Sequence, residues 1–570
     1  MDKSPNASNL FVIGLDGATF ELIKPWAEEG ELPNLSKIMR EGVYGELEST
    51  IPTNSAPAWT SFVTGTNPGK HGIFHFNSLG YQTKEYLMNR KSRRCKAIWN
   101  ILSEKGKKVG IINVPLTYPP EEVNGFMIAG MDTPSRENTF TYPEGLYQEI
   151  KEAVGDYQIE APLADLARIR NNKDRRRFIK AVMNTLELRL TATKYLMDKY
   201  DWDFFFVVFM AADRIQHRFW KFMDKTHPHH SPIEAKKYGG VIFNIYKRLD
   251  GVVGELSDKL DKNTILLIVS DHGFGPAPVK YINLNKWLAS KGLLTFKDNL
   301  HKVKWLDLSP FILHKLQLYM PLKLRHYLRV KFRPLVNKLQ LASRLHNVDW
   351  SSTKAYADQH VEVYSPIWIN LKGREPEGIV SPDEYEDLRN HIIAWLRKLR
   401  DPDTREKMIE RVYKREELFS GPNSYKGPDI LVEWKNDAYK TRLSFGSIRD
   451  SSKDFIGLIS PQETSQTISG EHKRNGIFMI KGRYIKKGRQ IIGARIVDLL
   501  PTILYCMDLP ISQDIDGNVL VKAFKEDYIN QRRIVYSRES TLWPKPDADI
   551  FSQEESERIR DRLRGLGYLD

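Results

Sequence analysis

Four nearly continuous apolar runs, separated by helical stretches, constrain what the first half of this chain can fold into. They are LFVIGLD (10–16), KVGIINVP (108–115), DFFFVVFM (203–210) and TILLIVSD (264–271). Apolar runs of this kind are typical of parallel strands that are buried on both faces. Helical patterns lie between them, for example at 97–107 and 175–200. The alternation predicts an α/β fold with a mostly parallel central sheet and helices on both faces.

Acidic residues stand where three of these runs end. Asp16 and Asp271 are the last residues of the first and fourth runs, and Asp213 follows the third. In open parallel sheets, ligands bind beyond the carboxyl ends of the strands. We therefore expect these three carboxylates to converge at one edge of the sheet, although they are far apart in the sequence.

Three histidines accompany the carboxylates at spacings that suit metal binding. Asp213 and His217 are four residues apart, so on a helix they project from the same face and can bind one cation. Asp271 and His272 are adjacent, and they converge only where the strand turns into the glycine-rich loop that follows. His472 lies between glycines in a predicted loop, from which it can close the site. Three carboxylates and three imidazoles are sufficient for a pair of divalent cations.

The candidate nucleophile is Ser55, which precedes a predicted helix in PTNSAPAWTSFVTG. A serine hydroxyl is a poor nucleophile at its ordinary pKa, and no histidine stands beside Ser55 in the sequence to act as a base. A coordinated divalent cation would lower that pKa and generate the alkoxide. The N-terminal amides of the following helix would face a bound phosphate. Taken alone, Ser55 fits a helix N-cap, but the joint occurrence of all these residues predicts phosphate chemistry.

The chain resembles the alkaline phosphatase superfamily, and within it the nucleotide pyrophosphatase/type I phosphodiesterase-like branch and a predicted phosphohydrolase/phosphomutase group. The segments that carry the resemblance are GLDG, PNLSKIMREGVYGELESTIPTNSAPAWTSFVTGTNPGKHGIF, DRIQH, SDHGFGP and GEHKRNGIF. The resemblance implies an alkaline phosphatase-like fold and two divalent metal ions, zinc or manganese. It also implies a phosphoserine intermediate, which passes its phosphoryl group to water or to another acceptor.

The resemblance further implies which residues hold the two metal ions. One ion would be bound by Asp213, His217 and His472. The other would be bound by Asp16, Asp271, His272 and the Ser55 oxygen.

Two positions depart from the relatives. In the pyrophosphatase branch the nucleophile is usually threonine, and an asparagine three residues later helps to bind phosphate, whereas this chain has Ser55 and Ala58. We therefore expect phosphate to be bound by backbone amides such as that of Ala56, by the Asn54 side chain, by the metal ions or by a further residue. Sulfatases share the fold, but their nucleophile needs an arginine where this chain has Trp59, so a sulfatase is a minor alternative.

A basic segment interrupts the catalytic pattern. Residues 301–347 contain ten lysines and arginines against one acidic residue, together with many leucines and aromatic residues. We interpret 296–350 as a helical cap inserted into a catalytic core that occupies 1–295 and 351–535. A C-terminal helical tail, 536–570, is expected to pack at the edge of the fold.

Three functions are compatible with these features. The leading hypothesis is a metal-dependent phosphoric-ester hydrolase of the phosphodiesterase, phosphatase or nucleotide pyrophosphatase type. The ligand set equally allows a phosphotransferase or phosphomutase that acts on a sugar or a lipid-linked phosphate. The third hypothesis is a peripheral membrane or polyanion-binding protein that acts through 301–347, since basic residues among leucines and aromatics fit an interfacial helix. The net charge of +14 favours anionic partners, but no nucleic-acid-binding module is visible, and we expect no such partner.

The sequence also predicts a cytoplasmic protein that is peripheral to a membrane at most. The polar N-terminus runs straight into the first strand, without a charged-then-apolar leader. The longest apolar run, FFFVVFMAA, is far shorter than the roughly 20 residues that span a bilayer. Two cysteines, Cys95 and Cys506, are fewer than a secreted protein of this size usually carries.

Overall fold

The structure, a computed structural model, describes most of the chain. The described residues are 9–78, 86–135, 139–161, 169, 171–297, 348–357, 364–442, 455–459, 468–543, 550–566 and 568. The basic segment 301–347, and with it most of the predicted cap, lies outside the described residues.

Short strands occur along the whole described chain. They are β1 (Leu10–Leu15), β2 (Val43–Glu48), β3 (Val109–Ile112), β4 (Gly125–Ile128), β5 (Thr141–Tyr142), β6 (Phe204–Phe209), β7 (Ile265–Val269), β8 (Gly273–Pro276), β9 (Lys280–Ile282), β10 (Ala355–Ala357), β11 (Tyr364–Ile369), β12 (Ile409–Lys414), β13 (Ile430–Trp434), β14 (Tyr439–Thr441), β15 (Ile456–Leu458), β16 (Gly470–Lys473), β17 (Asn475–Lys481), β18 (Arg489–Gln490), β19 (Ala494–Arg495), β20 (Ile511–Ser512) and β21 (Tyr536–Ser537).

Helices alternate with the strands. They are α1 (Phe20–Glu28), α2 (Pro33–Glu41), α3 (Ser55–Thr64), α4 (Pro68–His71), α5 (Ile98–Glu104), α6 (Leu146–Val154), α7 (Asn172–Lys199), α8 (Ala211–Met223), α9 (Pro232–Tyr238), α10 (Val241–Ser257), α11 (Leu284–Ser290), α12 (Pro382–Arg397), α13 (Arg415–Leu418), α14 (Leu499–Cys506), α15 (Glu526–Gln531) and α16 (Gln553–Leu566). Among the described residues, no helix is both long enough and apolar enough to span a membrane.

The central sheet is mostly parallel. Its strand order is β18-β2-β17-β7-β1-β6-β3-β4-β5, and β19 also pairs with β2. The block β7-β1-β6-β3-β4 is parallel throughout, whereas β17 and β5 run antiparallel to their neighbours in that block. Every residue of β1, β6 and β7 is buried, so both faces of the sheet are covered. The four apolar runs form β1, β3, β6 and β7, and the predicted α/β fold class is confirmed.

The register of the central strands brings the predicted site together. Gly14 of β1 pairs with Val208 of β6 on one side and with Val269 of β7 on the other, so the three strands end at nearly the same level. Asp16 follows β1 directly, α8 starts just after β6, and Asp271 follows β7. The carboxyl ends of neighbouring strands therefore deliver the predicted carboxylates to one edge of the sheet.

A second, smaller sheet is formed by residues that lie in the sequence between β7 and β17, two strands of the central sheet. Its order is β10-β11-β13-β12, its strands are antiparallel, and α12 packs on it. It has an apolar core of its own, which includes Trp287, Tyr356, Trp368, Ile392 and Trp434. The predicted second part of the catalytic core, 351–535, is thus divided between this small sheet and the central sheet, which takes β17. The domain boundaries stay predictions.

Candidate functional site

The six predicted metal ligands and Ser55 lie together, and their side chains are buried. Asp16, Asp213 and the pair Asp271–His272 come from the ends of the neighbouring strands β1, β6 and β7. His217 lies one turn after Asp213 on α8, as the four-residue spacing predicts. His472 and Ser55 reach the same place from β16 and from the start of α3. Each of the seven residues is at most 1% exposed, so their charges and lone pairs lie away from water.

His472 lies on a strand, not in the predicted loop. Strand β16 pairs antiparallel with β8, and His472 is opposite Phe274. Neighbouring backbone lies so close that a Cβ atom on Gly470 would come 2.5 Å from the carbonyl oxygen of Gln216, and one on Gly476 would come 2.7 Å from that of Ser270. The glycines that suggested a loop instead permit this close backbone approach. The rings of His472 and His272 stack with their centroids 3.6 Å apart.

The three imidazoles are held in the same way, by a backbone carbonyl at Nδ1. His217 Nδ1 lies 3.0 Å from the Gly470 oxygen, and His272 Nδ1 lies 3.0 Å from the Gly273 oxygen. His472 Nδ1 lies 2.9 Å from the oxygen of Thr53. A carbonyl oxygen only accepts, so the bonding pattern assigns the proton to Nδ1 and leaves a lone pair on each Nε2. This second contact is typical of histidines that bind metals through Nε2.

In the first acceptor group, the lone pairs of three residues face one another. The Nε2 atoms of His217 and His472 are 3.0 Å apart. Asp213 Oδ1 lies 3.3 Å from the former and 3.2 Å from the latter. With both Nδ1 atoms protonated, these three atoms have no proton to share and would repel one another. A divalent cation removes that conflict, and two imidazoles with one carboxylate suit it.

A second acceptor group lies next to the first. Ligand atoms of Asp16, Asp213 and His272 are all within 4.8 Å of one another. Asp271 Oδ2 is 3.3 Å from His272 Nε2. Asp16 Oδ1 and Asp271 Oδ2 are buried and have no hydrogen-bond partner in the described part of the chain. Asp213 belongs to both groups, although the resemblance implied that it serves only the first.

The pKa shifts of the buried site residues also indicate that the second acceptor group lacks positive charge. Burial, together with repulsion from Asp271 and Asp213, raises the pKa of Asp16 well above its usual value. Burial also raises the pKa of Asp271 to about 7 and holds that of His272 well below the ordinary histidine value. Buried anions of this kind are stable when cations neutralise them.

Ser55 lies beside the second acceptor group. Its Oγ atom is 3.2 Å from His272 Nε2, so a histidine that is remote in the sequence is close to it in space. Ser55 is the first residue of α3, and the Asn54 side chain caps that helix by accepting from the Ala56 amide at 3.0 Å. The Ala56 donor is therefore already used within the cap. The phosphate-binding roles of Asn54 and Ala56 stay predictions.

Three side chains at the site escaped the sequence analysis. Trp59 Nε1 donates to Asp16 Oδ2 at 2.8 Å, and its ring lies so close to β1 that a Cβ on Gly14 would come 2.7 Å from it. Arg214 Nη1 donates to Asp213 Oδ2 at 2.5 Å. Tyr568 lies 3.1 Å from Ser55 through its hydroxyl oxygen. Trp59 and Arg214 could have been found from the sequence, because Trp59 lies four residues after Ser55 and Arg214 follows Asp213. Nothing in the sequence points to Tyr568.

The sequence predicted that the C-terminal tail packs at the edge of the fold, but part of the tail reaches the site. Helix α16 does form from the charged stretch, but Tyr568 beyond it is buried at Ser55. Its pKa is raised well above normal by burial, so the phenol keeps its proton. Burial alone would lower the pKa of Arg214, but Glu160, Tyr568 and Asp213 raise it, so the guanidinium stays charged.

A mostly parallel α/β sheet that carries two buried acceptor groups beside a hydroxyl fits the class of metal-dependent enzymes that act on phosphoric esters. The family model of type I phosphodiesterase/nucleotide pyrophosphatase matches residues 10–443, which is more than half of the chain. The chain therefore belongs to this family of metal-dependent hydrolases. The resemblance to this branch is confirmed. His472 lies beyond the matched range, yet it completes the first acceptor group.

Solved structures and curated sequences add the following comparisons. The chain is 13% identical to murine ectonucleotide pyrophosphatase/phosphodiesterase 5, over 91% of this chain and 100% of that one, with a TM-score of 0.45. It is 14% identical to phosphonoacetate hydrolase from Sinorhizobium meliloti, solved with phosphonoacetate, over 88% of this chain and 96% of that one, with a TM-score of 0.49. No curated protein sequence matches the chain significantly.

Proposed function

We propose that this protein hydrolyses phosphoric esters through a covalent phosphoserine at Ser55, with two divalent cations, zinc or manganese, bound at the acceptor groups. The first cation is held by Asp213, His217 and His472, and the second by Asp16, Asp271, His272 and the Ser55 oxygen. The observation that carries the proposal is the position of Ser55 Oγ, 3.2 Å from His272 Nε2 and next to buried acceptors that lack protons.

The donor set supports these cations. It contains imidazole nitrogens and carboxylate oxygens but no sulfur, since Cys95 and Cys506 are buried elsewhere. Zinc and manganese both accept such ligands. When bound, the cations supply positive charge that lowers the pKa of the serine hydroxyl and stabilises charge on the phosphoryl oxygens.

The chain's own residues prepare the displacement. Helix α3 begins at Ser55, and the positive end of its dipole favours a phosphoryl group there. A bond forms from Ser55 Oγ to phosphorus, and the bond from phosphorus to the leaving oxygen breaks with its electron pair. The serine proton passes to solvent. Water then attacks phosphorus, the bond to Oγ breaks, and Ser55 regains a proton as the phosphate product leaves.

Hydrolysis of p-nitrophenyl phosphate and bis(p-nitrophenyl) phosphate, with zinc or manganese supplied, tests the proposal. Ser55→Ala is expected to lower kcat on the order of 1,000-fold or more, as for other removed nucleophiles. Ser61→Ala is the matched control, because it removes another buried hydroxyl from the same helix. The Ser61 hydroxyl contacts His71 Nε2 at 2.9 Å. Full activity of Ser55→Ala with both cations bound would rule out the covalent mechanism.

Product analysis separates hydrolysis from transfer. With p-nitrophenyl phosphate as substrate, a release of phosphate equal to that of p-nitrophenol is expected for a hydrolase. A shortfall of phosphate that is matched by a new phosphoric ester, when glycerol or a sugar is added, would identify a phosphotransferase. The cytoplasmic location and the membrane role of 301–347 stay predictions.

A further inference from the structure

The hydroxyl of Tyr568 contacts the reacting centre. It lies 3.1 Å from Ser55 Oγ, 3.0 Å from Arg214 Nη1 and 3.3 Å from Asp213 Oδ2. The ring packs against Phe76 with the centroids 4.8 Å apart. Tyr568 is only 3% exposed. Specific packing therefore holds the Tyr568 hydroxyl in its buried position beside Ser55.

The preceding helix fixes where Tyr568 arrives. Arg562 of α16 donates to the Met131 oxygen at 2.7 Å, to the Thr133 oxygen at 2.5 Å and to the Pro134 oxygen at 3.1 Å. The Tyr568 amide then donates to the Leu563 oxygen at 2.9 Å. Three carbonyls around one guanidinium set both the position and the rotation of the helix, because each hydrogen bond has a preferred direction.

Arg214 is held by the same loop and by the tyrosine itself. Its Nη2 atom donates to Glu160 Oε2 at 2.8 Å and lies 3.4 Å from Met131 Sδ. Its guanidinium carbon is 5.1 Å from the centroid of the Tyr568 ring, the arrangement of a cation–π contact. Met131 thus links the loop that anchors the tail to the arginine beside Tyr568. The phenol and the guanidinium are positioned as one unit.

We propose that Tyr568 and Arg214 line the phosphoryl-binding side of the active site, with Tyr568 as a catalytic residue supplied by the segment that follows α16. A phosphoryl group on Ser55 Oγ places its non-bridging oxygens one bond beyond phosphorus, near the Tyr568 hydroxyl, which contacts Oγ, and near the Arg214 guanidinium, which contacts that hydroxyl. Tyr568 donates its hydroxyl proton in a hydrogen bond, and Arg214 supplies a permanent charge. Neither residue gives up its proton, and the bonds made and broken are those of the proposed function, on which this inference rests.

Tyr568→Phe is the decisive variant, because the ring keeps its contact with Phe76 while the hydroxyl is lost. We expect kcat/KM for bis(p-nitrophenyl) phosphate to fall about 100-fold, as when one oxyanion donor is removed. Inorganic phosphate, titrated calorimetrically into the manganese-loaded protein, should bind about tenfold more weakly. Tyr505→Phe is the matched control, since it removes a hydroxyl that donates to the Arg532 oxygen at 2.9 Å, away from the site. It should change neither quantity.

A second pair of variants tests the anchor. Arg562→Ala should reproduce the loss seen with Tyr568→Phe, because the tail is no longer fixed. Arg558→Ala lies on the same helix and breaks an exposed pair with Glu554, so it should leave the kinetics unchanged. Equal effects of the two substitutions would contradict the role of the anchor.

The alternatives give distinct outcomes. A rise in kcat/KM for Tyr568→Phe, or after truncation behind Leu566, would overturn the proposal and identify the tail as a plug. Unchanged kcat/KM and unchanged phosphate affinity would leave Tyr568 a structural residue. An inactive Ser55→Ala combined with a fully active Tyr568→Phe would refute this inference alone, whereas an active Ser55→Ala would refute the proposed function.

Discussion

Replacement of Trp59 by phenylalanine measures how far cation binding depends on one buried hydrogen bond. Trp59 Nε1 donates to Asp16 Oδ2 at 2.8 Å, while Asp16 Oδ1 has no hydrogen-bond partner in the described part of the chain. The indole is completely buried and packs against Phe62 and Phe206. Phenylalanine keeps most of these ring contacts but has no donor, so Asp16 loses the group that orients it.

The size of the effect follows from the kind of bond that is lost. A hydrogen bond to a charged acceptor contributes about 1.5–3 kcal/mol. At about 1.4 kcal/mol for each tenfold change in affinity, this corresponds to roughly 10- to 100-fold weaker binding of the second cation. The same range is measured when residues that orient metal ligands are replaced in other proteins.

The matched control is Trp99→Phe. Trp99 is also completely buried, and its Nε1 atom donates to a carboxylate, Glu121 Oε1, at 2.9 Å, but away from the acceptor groups. Both variants should unfold at a lower temperature than the wild type. Titration with manganese against a competing chelator should then show weaker binding in Trp59→Phe only. Equal manganese affinities in the two variants would refute the role assigned to Trp59.

Three further outcomes follow from the structure. Chelation should lower the unfolding temperature, because a cation at 100 times its Kd stabilises the native state by about 2.7 kcal/mol. Burial lowers the pKa of His71 to about 3. The contribution of neutral His71 to the free energy of unfolding is therefore fully present above pH ~6.5, and it falls by about 1.4 kcal/mol per pH unit below that pH. The free energies of unfolding that urea titrations give at pH 7 and at pH 5 should therefore differ by about 2 kcal/mol less in His71→Gln than in the wild type. Asp429→Ala should cost about 3–5 kcal/mol, because it removes a buried carboxylate that pairs with Arg374 at 2.6 Å and with Arg415 at 3.0 Å. The exposed Asp201→Ala, which breaks a surface pair, should cost under about 1 kcal/mol.

The parts of the site that depend on local rules could be predicted from the sequence. Strand ends placed Asp16 and Asp271, because apolar runs identify buried parallel strands and their carboxyl ends share one edge. The four-residue spacing of Asp213 and His217 predicted their common helix face, and both lie on α8. These inferences needed only the geometry of one strand or one helix.

The remaining parts depend on contacts between distant segments. His472 is on a strand because GEHK pairs with GFGP about 200 residues earlier, and glycines flank strands and loops alike. The position of Asp213 in both acceptor groups depends on distances between side chains of several elements. Tyr568 reaches Ser55 only because Arg562 finds its carbonyls in a loop more than 400 residues away in the sequence. No periodicity or spacing encodes such packing.

Detection of phosphorylated Ser55 tests the central claim most directly. The wild-type protein, loaded with zinc or manganese, is quenched in acid during turnover of p-nitrophenyl phosphate, and its peptides are examined by mass spectrometry. We predict a phosphoryl group on Ser55, absent after chelation and absent in Ser55→Ala, with Ser61 unmodified in the same peptide. An active enzyme that never carries phosphate on Ser55, together with an active Ser55→Ala variant, would contradict the account.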